Sequence, residues 1–275
     1  MEYLKFNYST TYYFDKPVTG HNFSIKCMPV TSSRQSITII DKKITSSKYN
    51  SDSVDSFGNH LIYGVIEESH TEFNFTVTGT AEVENCCVET DDNMLKLYTV
   101  PGRLTKAGPK VLEHIKLLKE KCNNMERADI CLFVNNYVNQ MLEYKQWETD
   151  VDTPAEEACS LGRGVCQDYS HIMISILRSM NIPARYVVGM MKGEGYSHAW
   201  VEAWLNDGMP VCGEADHANG MPGWYGFDPT NNKPVDDGYI KISHGRDYAD
   251  CMVVRGIFLG DATQKQMVSV NVEEI

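Results

Sequence analysis

The chain has 275 residues, 42% hydrophobic and 23% charged, with 25 Lys and Arg against 37 Asp and Glu for a net charge of −12. That length supports one large or two modest globular units, and the acidic balance excludes the basic footprint of a nucleic-acid-binding domain. No apolar run approaches the ~20 residues of a membrane-spanning helix. The opening segment MEYLKFNYSTTYYFDKP lacks the apolar stretch of a signal peptide, so a cytoplasmic setting without a membrane partner is expected.

Residues 1–100 read as β structure. In YLKFNYSTTYYF, Leu4, Phe6 and Tyr8 fall on one face and Tyr3, Lys5 and Asn7 on the other. SITIIDKKI, DSFGNHLIYGVIE with its Phe57-Gly58-Asn59 turn, and TEFNFTVTGTAEVE continue the pattern, which predicts an antiparallel sandwich-like module. Helical spacing begins near residue 105: Val111, Leu112, Ile115 and Leu118 follow Pro109, a first-turn residue. A second helix carries Ile130, Phe133, Val134, Tyr137, Val138 and Met141. The acidic stretch from Glu148 to Glu157 reads as a solvated loop. A third helix opens at Cys166, shows a stripe of Tyr169, Met173, Ile176, Leu177 and Met180, and stops at Asn181-Ile182-Pro183. Strands follow: ARYVVGMM, SHAWVEAWL with His198, Trp200, Glu202 and Trp204 on one face, and GWYGFDPTN. The order predicts an α+β fold, with a β-rich module over 1–100 and a core over 101–275.

The nine cysteines are odd in number and irregularly spaced, with no C-x-x-C, so neither a disulfide framework nor a zinc site is expected. No calcium-loop pattern occurs either, and no cofactor is expected. One cysteine stands apart. In GRGVCQDYSH, Cys166 opens a helix, where the dipole lowers a thiol pKa and unpaired backbone N–H groups face outward. A cysteine nucleophile also needs a base and a group that orients it. His198 at a strand start and Asp228 at a strand end are the candidates. Alternatives stand beside each: an inert core thiol, a structural histidine, an Asp-Pro turn. Gln167 and Asp168 either balance the first helical turn or line a substrate path. Trp200 and Trp224 either pack the core or wall an acyl channel. His171 reads as a packed or hydrogen-bonded residue, and Gly164 as the residue permitting a tight turn into the helix.

Taken in order, RGVCQDYSH, SHAWVEAWL and GWYGFDPTNN closely resemble the transglutaminase-like superfamily. YLKFNYSTTYYFDKPVTGHNFSIKCMPV followed by DSFGN resembles the β-rich module that precedes this core in many bacterial members, so the resemblance covers nearly the whole chain. It implies a papain- or transglutaminase-like core, with the cysteine helix packed on an antiparallel sheet. It further implies Cys166 as nucleophile, His198 as base and acid, Asp228 as orienting group, and the Cys166 backbone N–H as an oxyanion donor. The reaction implied is acyl transfer from an amide or thioester through an acyl-thioester, to an amine or to water. The donor would be a peptide, a protein or a carrier-bound acyl group. Hydrolysis of peptide or isopeptide bonds is an alternative outcome of the same chemistry, and a binding protein without activity is a further one. Two stretches depart from the family pattern. Residues 206–223 form a long connection between the His198 and Asp228 strands; its Cys212, Glu214, Asp216 and His217 fit no metal spacing, and the segment reads as a solvated loop or as one that overhangs the cleft and shapes the substrate site. Met252-Val253-Val254 stand where relatives often carry paired prolines, while Arg246, Asp247 and Tyr248 match the usual GRDY in a structural role.

Overall fold

A computed structural model describes residues 1–45, 49–85, 88–209 and 220–275. Its first strand, β1 (Glu2–Ile25), is 24 residues long and serves two curved halves of one sheet. Residues 2–14 run between β5 (His70–Val83) and β14 (Gln264–Glu274). Residues 19–25 run between β4 (His60–Ile66) and β13 (Val254–Leu259). The register breaks between Tyr13 and Val18 and again between Thr19 and Asn22, and Gly20 takes the left-handed φ of 55° that the bend requires. The outer strands β2 (Gln35–Ile44) and β3 (Tyr49–Val54) complete seven strands. The expected alternation holds: Leu4, Phe6 and Tyr8 are buried and Tyr3 is exposed. Phe73, Phe75, Val77, Ile62, Val270 and Val272 meet them inside, each large side chain contributing about 1.5–3 kcal/mol on burial.

The chain's last strands belong to this sheet. The expected division left everything after residue 100 in the core, whereas β13 and β14 return to pair along β1. Alternation identifies a strand but carries no information about which sheet accepts it, so the sequence offered no signal for this return.

The core contains α1 (Pro109–Lys121), α2 (Arg127–Met141), a two-residue β6 (Glu143–Tyr144), α3 (Ala155–Leu161), β7 (Arg163–Gly164) and α4 (Cys166–Ser179). Then come β8 (Ala184–Met191), β9 (His198–Leu205), β10 (Gly223–Asp228), β11 (Lys233–Pro234), β12 (Tyr239–Gly245) and α5 (Tyr248–Cys251). The sheet order is β11-β10-β9-β8-β12, antiparallel throughout. The helices cover one face. Met190, Ile240 and Ile242 on the other face join the core of the N-terminal sheet. Sandwiching between two layers buries β9 on both faces and removes the clean alternation of a half-exposed strand.

Several helical expectations shift by a residue or two. Val111, Ile115 and Leu118 are buried in α1, but Leu112 is 52% exposed. In α2 the inward stripe is Ala128, Cys131, Val134 and Val138, with Ile130 and Phe133 on its flanks. α4 has no exposed face: every residue from Gln167 to Arg178, the polar ones included, is buried, because it lies between the other helices and the sheet. The stretch from Glu148 to Glu157 is not simply a solvated loop. It leads into α3, and the Glu156 carboxylate accepts from the N–H groups of Gly108, Lys110 and Val111 at 2.7–3.0 Å. A carboxylate placed there satisfies the open N-terminus of α1 and complements its dipole.

Candidate active site

Cys166 is the first residue of α4 and is partly buried. Its position is fixed by the turns on either side. Gly162 ends α3 with a left-handed φ of 66°, so that glycine, rather than Gly164, supplies the conformational freedom. Gly164 has another role: a Cβ there would collide with the Asp168 carboxylate. That carboxylate folds back to accept from the Val165 N–H and the Thr149 hydroxyl, each at 2.7 Å. Burial raises the Asp168 pKa above the usual carboxylate range, partly offset by these bonds. The Gln167 amide donates to the carbonyls of Val151 at 3.2 Å and Asp150 at 3.4 Å. Both residues therefore stitch segment 149–151 to the helix start.

His198 begins β9, opposite Gly189 of β8, and is 7% exposed. Its Nε2 lies 2.7 Å from Asp228 Oδ2, which leaves Nδ1 as the nitrogen free to serve the thiol. Cys166 adds to Asp228 in favouring the protonated ring. Burial alone would depress the imidazole pKa; the bonds to Asp228 and Cys166 and their charges outweigh it and raise it to about 10. Asp228 closes β10 and is fully buried. Its Oδ1 accepts from the backbone N–H of Thr230 at 2.9 Å and of Asn231 at 3.1 Å. Its Oδ2 accepts from Asn231 Nδ2 at 2.7 Å and from the Tyr239 hydroxyl at 2.8 Å, besides His198. Desolvation pushes the Asp228 pKa up, but these donors hold it below the ordinary value, so it is ionised. The Asp-Pro turn and the histidine partner are one residue in two roles.

The tryptophans part company. Trp200 is 1% exposed, stacks on His198 with centroids 6.4 Å apart, and meets Tyr239 edge-on at 5.4 Å. It presses so closely on Gly189 that a Cβ there would not fit. Trp200 thus backs the histidine from within the core. Trp224 lies near the opposite end of β10 from Asp228, packed with Tyr98 and Trp204 under the Arg185 guanidinium. It takes no part in this cleft. His171 is fully buried and accepts the Tyr248 N–H at 3.2 Å. Burial, aided by Arg178 and Arg103, lowers its pKa to about 3 and keeps it neutral. In the GRDY segment, Arg246 pairs with Asp250 at 2.8 Å and Asp247 caps α5.

The sequence reading missed Asn231, Tyr239 and Thr149. Asn231 lay in plain view, three residues beyond Asp228 in DPTNN, at a spacing where a side chain reaches back to a turn carboxylate. Tyr239 is on β11's far side of the sequence, in β12, and no local pattern points to it. Among the described residues no group of three or more His, Cys, Asp and Glu is placed to hold a metal. Cys212, Glu214, Asp216 and His217 lie outside the described residues.

A thiol at the head of a buried helix, facing an imidazole–carboxylate pair on an antiparallel sheet, is the arrangement of a cysteine-dependent enzyme. Family comparison agrees: residues 4–82 match the bacterial transglutaminase-like N-terminal region and residues 118–229 match the transglutaminase-like superfamily. The chain belongs to the transglutaminase-like superfamily. An uncharacterised protein of Mycobacterium leprae is 25% identical over 282 residues, covering 92% of each chain. One from Mycobacterium tuberculosis is 31% identical over 146 residues, covering 48% of this chain and 42% of its own. The crystal structure of a candidate cysteine protease from Cytophaga hutchinsonii shares the fold, with a TM-score of 0.74 at 21% identity over 100% of this chain and 91% of that one.

Proposed function

We propose that Cys166, His198 and Asp228 form a catalytic triad for acyl transfer from an amide or thioester. The observation that carries this reading is the His198 ring, held at 2.7 Å by a buried carboxylate while its other nitrogen is left for the thiol. A pKa near 10 keeps the ring an imidazolium at neutral pH, the partner a thiolate needs. Burial pushes Cys27, Cys131 and Cys251 far above the ordinary thiol range and Cys159 up to about 11.

In this reaction the Cys166 thiolate attacks the acyl carbon, a C–S bond forms, and the carbonyl π electrons move onto oxygen. The backbone N–H of Cys166, at the first helical position and without an intrahelical partner, donates to that oxyanion. The leaving amine or thiol takes a proton from His198 as its bond to carbon breaks, and an acyl-thioester remains. An incoming amine or water gives its proton to His198 as it attacks the thioester carbon. The C–S bond then breaks and the thiolate returns. An amine yields a new amide; water yields hydrolysis, the peptidase outcome. Asp228 stays ionised throughout and holds the ring in one tautomer. The donor in this proposal is a peptide, a protein or a carrier-bound acyl group. A cytoplasmic setting belongs to it as well, supported by the free thiols of Cys27, Cys122, Cys131, Cys159, Cys166 and Cys251.

The test is intact-protein mass after iodoacetamide treatment across pH, for wild type, Cys166→Ala and His198→Ala. The expected result is one fast adduct below pH 8 that is lost in Cys166→Ala and slowed in His198→Ala. A Cys166 that reacts no faster than the remaining cysteines would sink the reading.

A further inference from the structure

Trp147 is 95% exposed, an unusual position for the largest apolar side chain. Its backbone is unusual too. Its φ of 70° is left-handed, in a turn position that ordinarily takes Gly or Asn. A bulky residue held there costs folding stability and gains no burial in return, and such outliers gather at functional sites.

The surrounding strap is not loose. The Lys145 N–H bonds the Gly164 carbonyl at 2.9 Å, two residues before Cys166. Lys145 pairs with Glu148 across the turn at 2.8 Å. The Thr149 hydroxyl bonds Asp168 at 2.7 Å, two residues after Cys166. Trp147 thus projects from a turn pinned on both sides to the head of α4. Tyr144 on the same strap is 52% exposed. Burial raises the pKa of its hydroxyl, and the charges of Cys166 and Glu194 push it the same way. The β8–β9 loop supplies exposed Glu194 and, two residues before His198, Tyr196, which is 61% exposed.

The rim is acidic as well as aromatic. Residues 143–152 carry Glu143, Glu148, Asp150 and Asp152 against Lys145. Arg163 reaches Glu148 and Arg103 reaches Asp152. With Glu194 added, these segments carry five carboxylates against Lys145, Arg163 and Arg103, while Lys192 of the β8–β9 loop is paired with Glu2 and Glu274, on a chain whose net charge is −12. An exposed indole beside surplus carboxylates suits a guanidinium or ammonium, which gains from the ring face and from the charge together.

We propose that Trp147, with Tyr144, Glu194 and Tyr196, forms the docking rim for a polypeptide acyl donor that presents a Lys or Arg side chain close to the reacting carbonyl. This rests on the acyl-transfer reading of Cys166. The pinned turn fixes the backbone from which the indole projects, so only the side chain has to be ordered on binding.

The test uses short chloroacetyl peptides that differ only in one residue, Lys, norleucine or Glu, placed in turn at each of the four positions after the chloroacetyl group. The Cys166 thiolate displaces chloride and forms a thioether, read by intact mass. In wild type at low salt, the best Lys peptide is expected to react about threefold to fivefold faster than its norleucine counterpart. The Glu peptide should be slowest. The Lys-to-Glu rate ratio should shrink in 0.5 M salt, in Trp147→Gly and in Glu194→Gln. Trp147→Gly should unfold at the same denaturant concentration as wild type or a higher one, because glycine suits that φ. A ratio near one in wild type, a ratio unchanged in Trp147→Gly, or a marked loss of stability in that variant would each overturn the proposal. Iodoacetamide run alongside separates the two readings. Cys166 activated through His198 without a Lys preference removes the rim alone, whereas an unactivated Cys166 removes the acyl-transfer reading itself.

Discussion

Tyr239 and His198 share one oxygen of Asp228: the phenol hydroxyl lies 2.8 Å from Oδ2 and the imidazole Nε2 2.7 Å from it. Asn231 is the third donor to that oxygen, at 2.7 Å. A fully buried carboxylate needs such a set to remain charged. The phenol also packs against the His198 ring, with centroids 6.1 Å apart. Tyr239 therefore fixes both members of the pair at once, from β12.

Tyr239→Phe removes the hydroxyl and keeps the ring. A hydrogen bond to a charged group contributes about 1.5–3 kcal/mol, and a loss of that order is expected in urea unfolding. The His198-dependent acceleration of Cys166 alkylation should fall with it. Asn231→Ala should act in the same direction, and the double variant should be non-additive because the two donors serve one oxygen. Full additivity in a double-mutant cycle would show that the shared oxygen is not the point of coupling.

The raised pKa of His198, about 10, carries a stability consequence whose sign is fixed. The folded state holds this proton more tightly than the unfolded chain, whose imidazole titrates near 6.5. The resulting stabilisation is fully present below about pH 6.5 and is lost as pH rises through about 10. Ring NMR signals of His198 should accordingly remain those of an imidazolium through pH 8 in the wild type. Asp228→Asn removes one of the two partners that hold the proton against burial, so the titration should move downward. A wild-type ring that titrates near 6.5 would contradict the geometry of the pair.

The three candidate residues were legible because each stands at an element end within a distinctive word: GVCQD, SHAW and FDPTN. The N-terminal strands were legible because one face of β1 and β5 is buried and the other meets solvent, which writes period two into Leu4, Phe6 and Tyr8. Elsewhere tertiary packing erased the signal. α4 and β9 are buried on all sides, so periodicity could not say which face met which layer. Trp224 was indistinguishable in sequence from a cleft residue, because it shares β10 with Asp228 and only the strand's direction separates them. The capping role of Glu156 spans more than forty residues to α1 and has no local trace. Gly164 was recognised as necessary for the wrong physical reason: the constraint is the space taken by Asp168, not a backbone angle.

The return of β13 and β14 to the first sheet makes the two ends of the chain one structural unit, and this gives the last prediction. β14 pairs with β1 over eleven residues, from Leu4 with Glu274 to Phe14 with Gln264. Val270 and Val272 are 5% and 3% exposed in the core they share with Leu4, Phe6 and Tyr8. Ending the chain after Val253 would strip β1 of a partner along both of its halves, leaving two open edges and an uncovered apolar face. The truncated protein is expected to be aggregated or unfolded although every residue of the candidate triad is retained. Size-exclusion chromatography and far-UV circular dichroism decide the point. A truncated chain that stays monomeric and folded, with Cys166 still reactive, would show that the core stands without the completed sheet. The expected failure would mean instead that the cysteine site depends on strands that begin more than twenty-five residues beyond Asp228.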